Sequence, residues 1–196
     1  MTWKADGVRF MRRLAWILGV PLIGILVGAL WLHHHTSAYD HEISQAAARN
    51  NLDFYLVKAM VYEESWFRPD IRGAAGEVGL MQVTMAAADD YTIKKRLPSL
   101  YPERLAEPEL NTEIGCWYLR QSLDLYKDSP NPPLFALLRY NAGETRAEAW
   151  LQTALSKPVP QGFSAEQHYL SLVDFPKTRA YVSSILQRSR SHNFWF

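Results

Sequence analysis

The segment ESWFRPDIRGAAGEVGLMQV, residues 64–83, is the most informative part of this chain, because it joins a helical pattern to a glycine-rich loop. In FYLVKAMVYEESWF (residues 54–67), helical spacing gathers five apolar residues on one face: Leu56, Val57, Met60, Val61 and Phe67. Glu64 lies near the middle of that face, and Glu63 lies roughly 80° from its centre. Because an ionised carboxylate is costly to bury, Glu64 is expected either to find a partner or to hold its proton.

Glu64 therefore has two interpretations. A carboxyl group that keeps its proton near neutral pH has the raised pKa that a general acid needs. Alternatively, Glu64 forms a structural salt bridge, for which Arg68, one helical turn further along the chain, is a candidate. The pattern of apolar residues leaves both interpretations open.

From Tyr39 onward the pattern is helical nearly throughout, with no convincing alternating strand and no internal repeat. Asp53 is predicted to cap one helix, and Asn111 or Thr112 another. The glycine-rich stretch before Leu80 is predicted to be a loop. We therefore expect an all-α domain with helices over residues 39 to about 51, 54–67, 79–91, 109–126, 132–143 and 177–189.

The composition excludes several classes of protein. Apolar residues make up 48% of the 196 residues and aromatic residues 13%, which suffices for a packed core and is too much for a disordered chain. The 21 Lys and Arg residues are balanced by 20 Asp and Glu residues, so the concentrated positive surface that binds nucleic acid is not expected. The single cysteine, Cys116, has no disulfide partner and no neighbours at metal-ligand spacing. The sequence implies no metal and no cofactor.

The N-terminal segment predicts a membrane anchor. Basic residues precede an uncharged apolar run, LAWILGVPLIGILVGALWL over residues 14–32, close to the roughly 20 residues that cross a bilayer as a helix. The charge distribution predicts a single pass through the cytoplasmic membrane, with residues 1–13 in the cytoplasm, 33–38 as a linker and 39–196 on the periplasmic side. The competing interpretation is a cleavable signal peptide, with a weak candidate cleavage site at residues 36–38.

Four blocks of the sequence resemble the soluble lytic transglycosylase (SLT) family, whose catalytic domain is similar in fold to goose-type lysozyme. The first block is residues 64–83, where the matching positions are Glu64-Ser65, Phe67, Pro69, Gly76 and Gly79-Leu80-Met81-Gln82. The others are LNTEIGCWYL (residues 110–119), RYNAG (139–143) and FPKTRAYVSSIL (175–186). Each block alone is a modest signal, but four blocks in the family's order make the resemblance specific.

The sequence also departs from the family pattern. Met85 and Ala87 stand where the family usually has proline and threonine, and Lys177 replaces a frequent glutamate. Gly73 replaces a frequent serine, and Glu77 replaces a frequent alanine. These positions surround the loop and the last helix, so they bear on substrate preference more than on the acid.

The resemblance implies an all-α, lysozyme-like enzyme that acts on peptidoglycan strands. It would cut the β-1,4 bond between N-acetylmuramic acid and N-acetylglucosamine and form a 1,6-anhydro sugar. Glu64 would serve as acid and then as base, which explains why no second acid of comparable sequence context is needed. Tyr181 would orient Glu64, and substrate contacts are implied for Ser65, Met81, Gln82, Tyr140, Asn141 and Tyr181.

These roles have structural alternatives. The alternative for Tyr181 and Met81 is an ordinary place in the core, and that for Asn141 is a cap at the end of its helix. Two alternative functions also remain open, a lysozyme-type hydrolase on the same scaffold and a non-catalytic peptidoglycan-binding or scaffold protein. Beyond the glycan strands and the membrane, the sequence indicates no particular partner.

Overall fold

The computed structural model describes the backbone of residues 3–194, with the side chains of residue 16 and residues 19–194. Within these limits the chain divides into two compact units, one up to Ala38 and one from Tyr39 to Phe194. All the candidate site residues belong to the second unit. Its helices therefore determine the geometry of the site.

The first unit consists of helix α1, Trp3–Ser37, which contains Pro21. Among the residues that the structure describes, no helix is long and apolar enough to cross a membrane. The prediction of a single-pass anchor in the cytoplasmic membrane, with a domain on the periplasmic side, is therefore wrong. Helix α1 also continues through most of the predicted linker.

The second unit is built from helices. In chain order they are α2 Asp40–Arg49, α3 Phe54–Ser65, α4 Met85–Lys95, a 3₁₀ helix Pro102–Ala106, α5 Pro108–Leu125, α6 Pro132–Ala142, α7 Glu144–Ser156, α8 Ala165–Ser171 and α9 Pro176–Ser191. Between residues 3 and 194 the β structure is limited to isolated bridges, Arg72 with Val78 and Val78 with Val83. The predicted all-α domain is confirmed.

Helix α6 lies at the centre of the packing. It carries an uninterrupted run of fully or nearly fully buried residues, from Leu134 to Leu138, as expected for a helix with neighbours on several sides. Helix α5 packs against α6, α2 and α4, and α3 packs most extensively against α9. Because α3 carries the glutamate pair, the contact between α3 and α9 determines which residues of the last helix reach the acid.

Several local predictions are confirmed. The Asp53 carboxylate accepts a hydrogen bond from the Leu56 N–H at 2.8 Å and caps α3. Helix α6 begins with two prolines and ends before Gly143, which has a φ of +84°. Local chemistry suffices at these ends because each cap involves residues only a few positions apart.

Other helix boundaries differ from the predictions. Helix α3 ends at Ser65, because Trp66 and Phe67 adopt left-handed backbone conformations with φ of 51° and 58°. Residues 79–82 form a turn and Val83 a β-bridge rather than a helix, and α4 begins only after Thr84 caps it. Asn111 and Thr112 lie inside α5, which begins at Pro108. Helices α7 and α8 were not among the predicted elements.

Candidate active site

Glu64 lies in the last turn of α3 and is half-buried. Its Oε1 accepts a hydrogen bond from the Tyr181 hydroxyl of α9 at 2.6 Å. The ion pairs found between residues 19 and 194 do not include Glu64. The alternative of a structural salt bridge to Arg68 is not realised, since Arg68 donates instead to the Ser65 carbonyl at 3.1 Å.

Burial raises the pKa of Glu64 to about 7. The hydrogen bond from Tyr181 acts in the opposite direction, because it stabilises the carboxylate, while the negative charges of Glu77 and Glu63 raise the pKa further. Desolvation is the largest of these effects. Glu64 therefore holds a proton near neutral pH and accepts one back after losing it, which is the property required of a general acid and base.

Glu63 has a different environment. Its Oε1 accepts a hydrogen bond from the Ser184 hydroxyl at 2.5 Å and lies 3.3 Å from Nε of Arg188. The Arg188 guanidinium in turn lies 3.7 Å from the centre of the Tyr62 ring. Glu63 is thus a partner in an ion pair between α3 and α9 and has a structural role. The carboxyl group of Glu64 has no such ion pair and is available for chemistry.

The loop after α3 is held by Asn111 of α5, which is fully buried. The Met81 N–H donates to Asn111 Oδ1 at 2.8 Å, and Asn111 Nδ2 donates to the carbonyls of Val78 and Leu105, both at 2.7 Å. Gly79, with a φ of +84°, passes so close that a Cβ atom there would lie 2.4 Å from Asn111 Nδ2. One amide thereby satisfies three buried backbone groups and fixes the loop that follows α3.

Three predicted substrate residues, one at the end of α3 and two in this loop, have side chains that are buried or already hydrogen-bonded within the domain. The Ser65 hydroxyl is buried within hydrogen-bonding distance of the Val61 and Leu80 carbonyls, at 3.1 and 2.9 Å. Met81 is fully buried against Gly115, where an added Cβ would lie 2.5 Å from its sulfur. Gln82 is half-buried, and its Nε2 donates to the carbonyls of Ile71 and Gly79 at 3.2 and 3.0 Å. These contacts fix the loop to α3 and α5.

Tyr140 and Asn141 lie at the end of α6. The Tyr140 hydroxyl donates to the Met81 carbonyl at 2.8 Å, and its ring packs edge-on against Tyr118. Burial raises the pKa of Tyr140 well above its usual value, so the phenol stays neutral. The neighbouring Asn141 is exposed. Tyr140 therefore holds the loop at Met81 in place, and the Asn141 amide is accessible to a ligand.

A pocket lies between α4, α5 and α6, and Gln82 and Tyr140 form part of its wall. Its other walls include Ala87 and Asp90 of α4 and Arg139 of α6. Arg139 is held by Ser122, to which its Nη1 donates at 2.7 Å, and by an ion pair with Glu144. The pocket thus combines apolar and polar side chains, as sites for sugars and small ligands do, and Glu64 is not among the residues that line it.

Sequence reasoning did not predict the roles of two residues in the site. Asn111 was interpreted as a helix cap, although its spacing from Ile114, Gly115 and Tyr118 places it on the inner face of α5. The influence of Glu77 on Glu64 was also missed, since no second acid was expected. The departure of Glu77 from the family pattern was the available signal.

Comparison with known proteins identifies related chains. The model of the transglycosylase SLT domain matches residues 41–159. The "Soluble lytic murein transglycosylase" of Salmonella typhimurium is 28% identical over 176 residues, which cover 87% of this chain and 25% of that protein. A "Membrane-bound lytic murein transglycosylase F" of Desulfosudis oleivorans is 32% identical over 104 residues, 52% of this chain and 21% of the relative. The chain thus spans about a quarter or less of these relatives.

Solved structures show the same fold. The 70 kDa soluble lytic transglycosylase of Escherichia coli aligns with a TM-score of 0.69 and 25% identity, over 84% of this chain and 26% of that one. The lytic transglycosylase Slt of Pseudomonas aeruginosa aligns with a TM-score of 0.68 and 24% identity, over 90% of this chain and 28% of its own. The helices of the second unit are therefore arranged as in the corresponding parts of these proteins.

Proposed function

The chain belongs to the transglycosylase SLT domain family, which confirms the resemblance found in its sequence, and from that premise we propose that it is a peptidoglycan lytic transglycosylase. Its substrate is the glycan strand, cut at the β-1,4 bond between N-acetylmuramic acid and N-acetylglucosamine. The product is a 1,6-anhydro-muramic acid end. The relatives' names support the activity, and the geometry around Glu64 supports the chemistry.

The environment of Glu64 is the observation that carries the proposal. The carboxyl group is half-buried at the end of α3, receives one hydrogen bond from Tyr181, and has a pKa raised to about 7. A glutamate with a structural role is normally neutralised by a cation, as Glu63 is by Arg188. Keeping an unpaired acid in such a place lowers stability, and sites of this kind are typical of general acids.

The reaction follows from one group that gives and then regains a proton. Protonated Glu64 donates to the glycosidic oxygen, so that the bond between this oxygen and C1 of the muramic acid breaks and the N-acetylglucosamine leaves with a hydroxyl group. The Glu64 carboxylate then takes the proton of the muramoyl 6-hydroxyl while its oxygen bonds to C1. No water is consumed, and Glu64 ends in its starting form.

The surrounding residues support both halves of this cycle. In the ionised state of Glu64, the Tyr181 hydroxyl stabilises the carboxylate and fixes its orientation. The burial of Glu64, which raises its pKa, favours the return of the proton to its carboxylate. The N-acetyl group of the substrate can stabilise the positive charge that develops at C1, as in substrate-assisted mechanisms.

Substrate contacts are assigned by accessibility. Asn141 is exposed at the end of α6 and would bind the N-acetyl or hydroxyl groups of a sugar. Gln82 and Tyr140 would contribute through the pocket between α4, α5 and α6, of whose wall they form part. Ser65 and Met81 have almost no exposed surface, so their contribution would be to hold the loop after α3 in place rather than to touch the sugar with their side chains.

Digestion of purified peptidoglycan by the full chain tests the proposal, with the products identified by mass spectrometry. We expect anhydro-muropeptides from the wild type and at least a ~100-fold loss of turnover for Glu64→Gln, the order of magnitude for a missing general acid. The matched control is Glu103→Gln, which removes the same charge from the exposed 3₁₀ helix. Products one water heavier would instead identify a hydrolase. Binding without turnover by both the wild type and Glu64→Gln would identify a glycan-binding protein.

A further inference from the structure

A row of polar contacts joins α9 to the last turn of α3. Tyr181, Ser184 and Arg188 are three and four positions apart in α9, so their side chains lie on one face of that helix. The Tyr181 hydroxyl donates to Glu64 at 2.6 Å, and the Ser184 hydroxyl donates to Glu63 at 2.5 Å. Nε of Arg188 lies 3.3 Å from the same oxygen of Glu63. This face of α9 is therefore bound to the glutamate pair at each of the three positions.

The row of contacts continues beyond the end of α9. His192 has a left-handed backbone conformation, with a φ of 54°, and ends the helix. Its ring stacks on that of Tyr55, with the ring centres 3.6 Å apart and an angle of 7° between the rings. Tyr55 lies in the first turn of α3 and Glu64 in the last, whereas His192 follows Tyr181 in the chain. The two helices are therefore antiparallel, and their contacts extend along the whole of α3.

Phe194 anchors the segment that follows α9. It is buried, and the centre of its ring lies 5.1 Å from Nζ of Lys58 in the middle of α3. The Phe54 ring lies 5.5 Å from the same ammonium group, and Oδ1 of Asp40 in α2 lies 2.7 Å from it. Because a nearly buried ammonium group is costly without partners, the two rings and the carboxylate hold Lys58 in one place. Phe194 is thereby fixed at a defined position along α3.

Arg188 connects this anchor to the glutamate pair. Its Nη1 donates to the Asn193 carbonyl at 3.1 Å, and its guanidinium lies 3.7 Å from the centre of the Tyr62 ring. Its Nε faces Glu63. One planar group thus holds the backbone immediately before Phe194 and the last turn of α3 at the same time. A lysine could not replace it, since an ammonium group lacks the fork of donors and the flat face that these contacts use.

The hydrogen bond between Tyr181 and Glu64 depends on how far α9 is displaced along α3. A movement by the rise of one residue, about 1.5 Å, is large compared with the narrow range of distances and angles in which a hydrogen bond is strong. The burial of Phe194 opposes such a movement, because its ring would lose its packing on Lys58. Arg188 opposes it as well, because its contacts join both helices and the segment after α9.

We propose that Phe194 and Arg188 are positioning residues for the acid: together they fix the position of α9 along α3, and so hold the Tyr181 hydroxyl on the Glu64 carboxyl group. The inference rests on the proposed function in taking Glu64 as the acid. Both residues act through Tyr181 and not on the substrate. The proposal gives residues 192–194, which lie outside the match to the SLT domain model over residues 41–159, a role in the active site.

The variants Phe194→Ala and Arg188→Gln test the proposal in the full chain, each alone and combined with Tyr181→Phe. We expect each single variant to lower kcat on soluble glycan fragments about threefold to tenfold, and no more than Tyr181→Phe does, because the hydrogen bond is weakened rather than removed. KM should stay unchanged, since the proposed substrate contacts lie on other elements. In the Tyr181→Phe background neither variant should lower kcat further, because the hydrogen bond through which both act is already missing.

A carboxyl-carbon NMR titration of Glu64 gives a measurement that needs no turnover. The hydrogen bond from Tyr181 lowers the pKa of Glu64, so its weakening should move the midpoint to higher pH in Phe194→Ala and in Arg188→Gln. Neither variant should shift the midpoint further in the Tyr181→Phe background. Arg188→Lys keeps the charge beside Glu63 and should behave like Arg188→Gln. Full activity and an unshifted midpoint in Arg188→Lys would show that the charge alone matters and would overturn the role of Arg188.

Two controls separate positioning from a general loss of stability. Ala147→Gly weakens the buried side of α7, which packs mainly against α6, and Phe163→Ala removes a phenylalanine ring from an exposed position. Both should leave kcat and the Glu64 midpoint unchanged. If Phe194→Ala does not fold, Phe194→Leu replaces it, since leucine stays apolar but lacks the ring that faces the ammonium group.

Additive losses of kcat in the double variants would overturn the proposal, because Phe194 and Arg188 would then not act through Tyr181. So would an unchanged midpoint in both single variants, a midpoint at lower pH, or equal effects of Ala147→Gly and Phe194→Ala. If the wild type does not digest the wall, the proposed function fails, while the NMR midpoints still decide this inference.

Discussion

The hydroxyl group of Tyr181 lies 2.6 Å from Oε1 of Glu64, although 117 positions separate the two residues in the chain. The contact exists because α3 and α9 pack along each other. The same pair of helices brings Arg188 to Glu63. One helix–helix contact therefore gives Glu64 a neutral hydrogen-bond donor and Glu63 a cation. The two adjacent glutamates thereby have different roles.

Tyr181→Phe removes the hydrogen bond to Glu64 and keeps the ring. Because that bond lowers the pKa of Glu64, its loss should raise the pKa further and move the alkaline limb of activity to higher pH. Turnover at the optimum should fall about tenfold or more, since the carboxylate loses a charge-assisted hydrogen bond. A pH profile of peptidoglycan digestion measures both effects.

Tyr101→Phe is the matched control for that experiment, since Tyr101 is 75% exposed. Its pH profile should equal that of the wild type. An alkaline limb that stays in place in Tyr181→Phe, or moves to lower pH, would contradict the role assigned to the Tyr181 hydroxyl.

Glu63→Gln should affect stability more than chemistry. It removes the charge that faces Arg188 and weakens the hydrogen bond from Ser184, so the free energy of unfolding should fall by about 1–2 kcal/mol. Most of the wall-digesting activity should remain. Denaturant unfolding and product analysis, run beside Glu64→Gln, separate the two residues. A loss of turnover in Glu63→Gln as complete as in Glu64→Gln would contradict their separation.

The pH dependence of stability should reveal the cost of the buried acid. In the folded chain the pKa of Glu64 is raised to about 7 from an ordinary value of 4.5, so the folded state binds the proton more tightly than the unfolded state. Stability is therefore lost as the pH rises from about 4.5 to about 7, by an amount on the order of 1–3 kcal/mol. Glu64→Gln lacks this loss.

Thermal unfolding of the wild type and Glu64→Gln at pH 4 and pH 8 measures this difference. The variant should gain stability relative to the wild type at pH 8 and gain little at pH 4. A gap between the two proteins that stays constant with pH would show that Glu64 titrates alike in the folded and unfolded states.

Asn111→Ala and Asn141→Ala should have opposite consequences. Asn111 satisfies three buried backbone groups, so its removal should lower the free energy of unfolding by about 3 kcal/mol or more. Asn141 is exposed, so its removal should leave the melting temperature unchanged and raise KM for glycan strands. Calorimetry and initial rates on soluble glycan fragments provide the two measurements. An unchanged KM in Asn141→Ala would remove Asn141 from the binding surface.

Local sequence determines several helix ends of this protein and the face of α3 on which Glu64 lies. Asp53 caps α3 and Gly143 ends α6 because capping depends on residues a few positions apart. Helical periodicity alone placed Glu64 on an apolar face and so raised the question of its proton. The order of four sequence blocks pointed to the family, and the model of the transglycosylase SLT domain matches residues 41–159, which contain the first three of them. The prediction of a membrane anchor also came from local sequence, namely the hydropathy of residues 14–32, and it was wrong.

Only the tertiary structure determines which groups surround Glu64. Periodicity cannot show that α9 supplies a phenol to Glu64 and a guanidinium to Glu63, because both contacts join residues more than a hundred positions apart. It also cannot show that Asn111 holds the loop, or that Phe194 packs on Lys58. Burial, charge and hydrogen bonding at Glu64 are sums over neighbours from different helices, and those neighbours are brought together only when the chain packs.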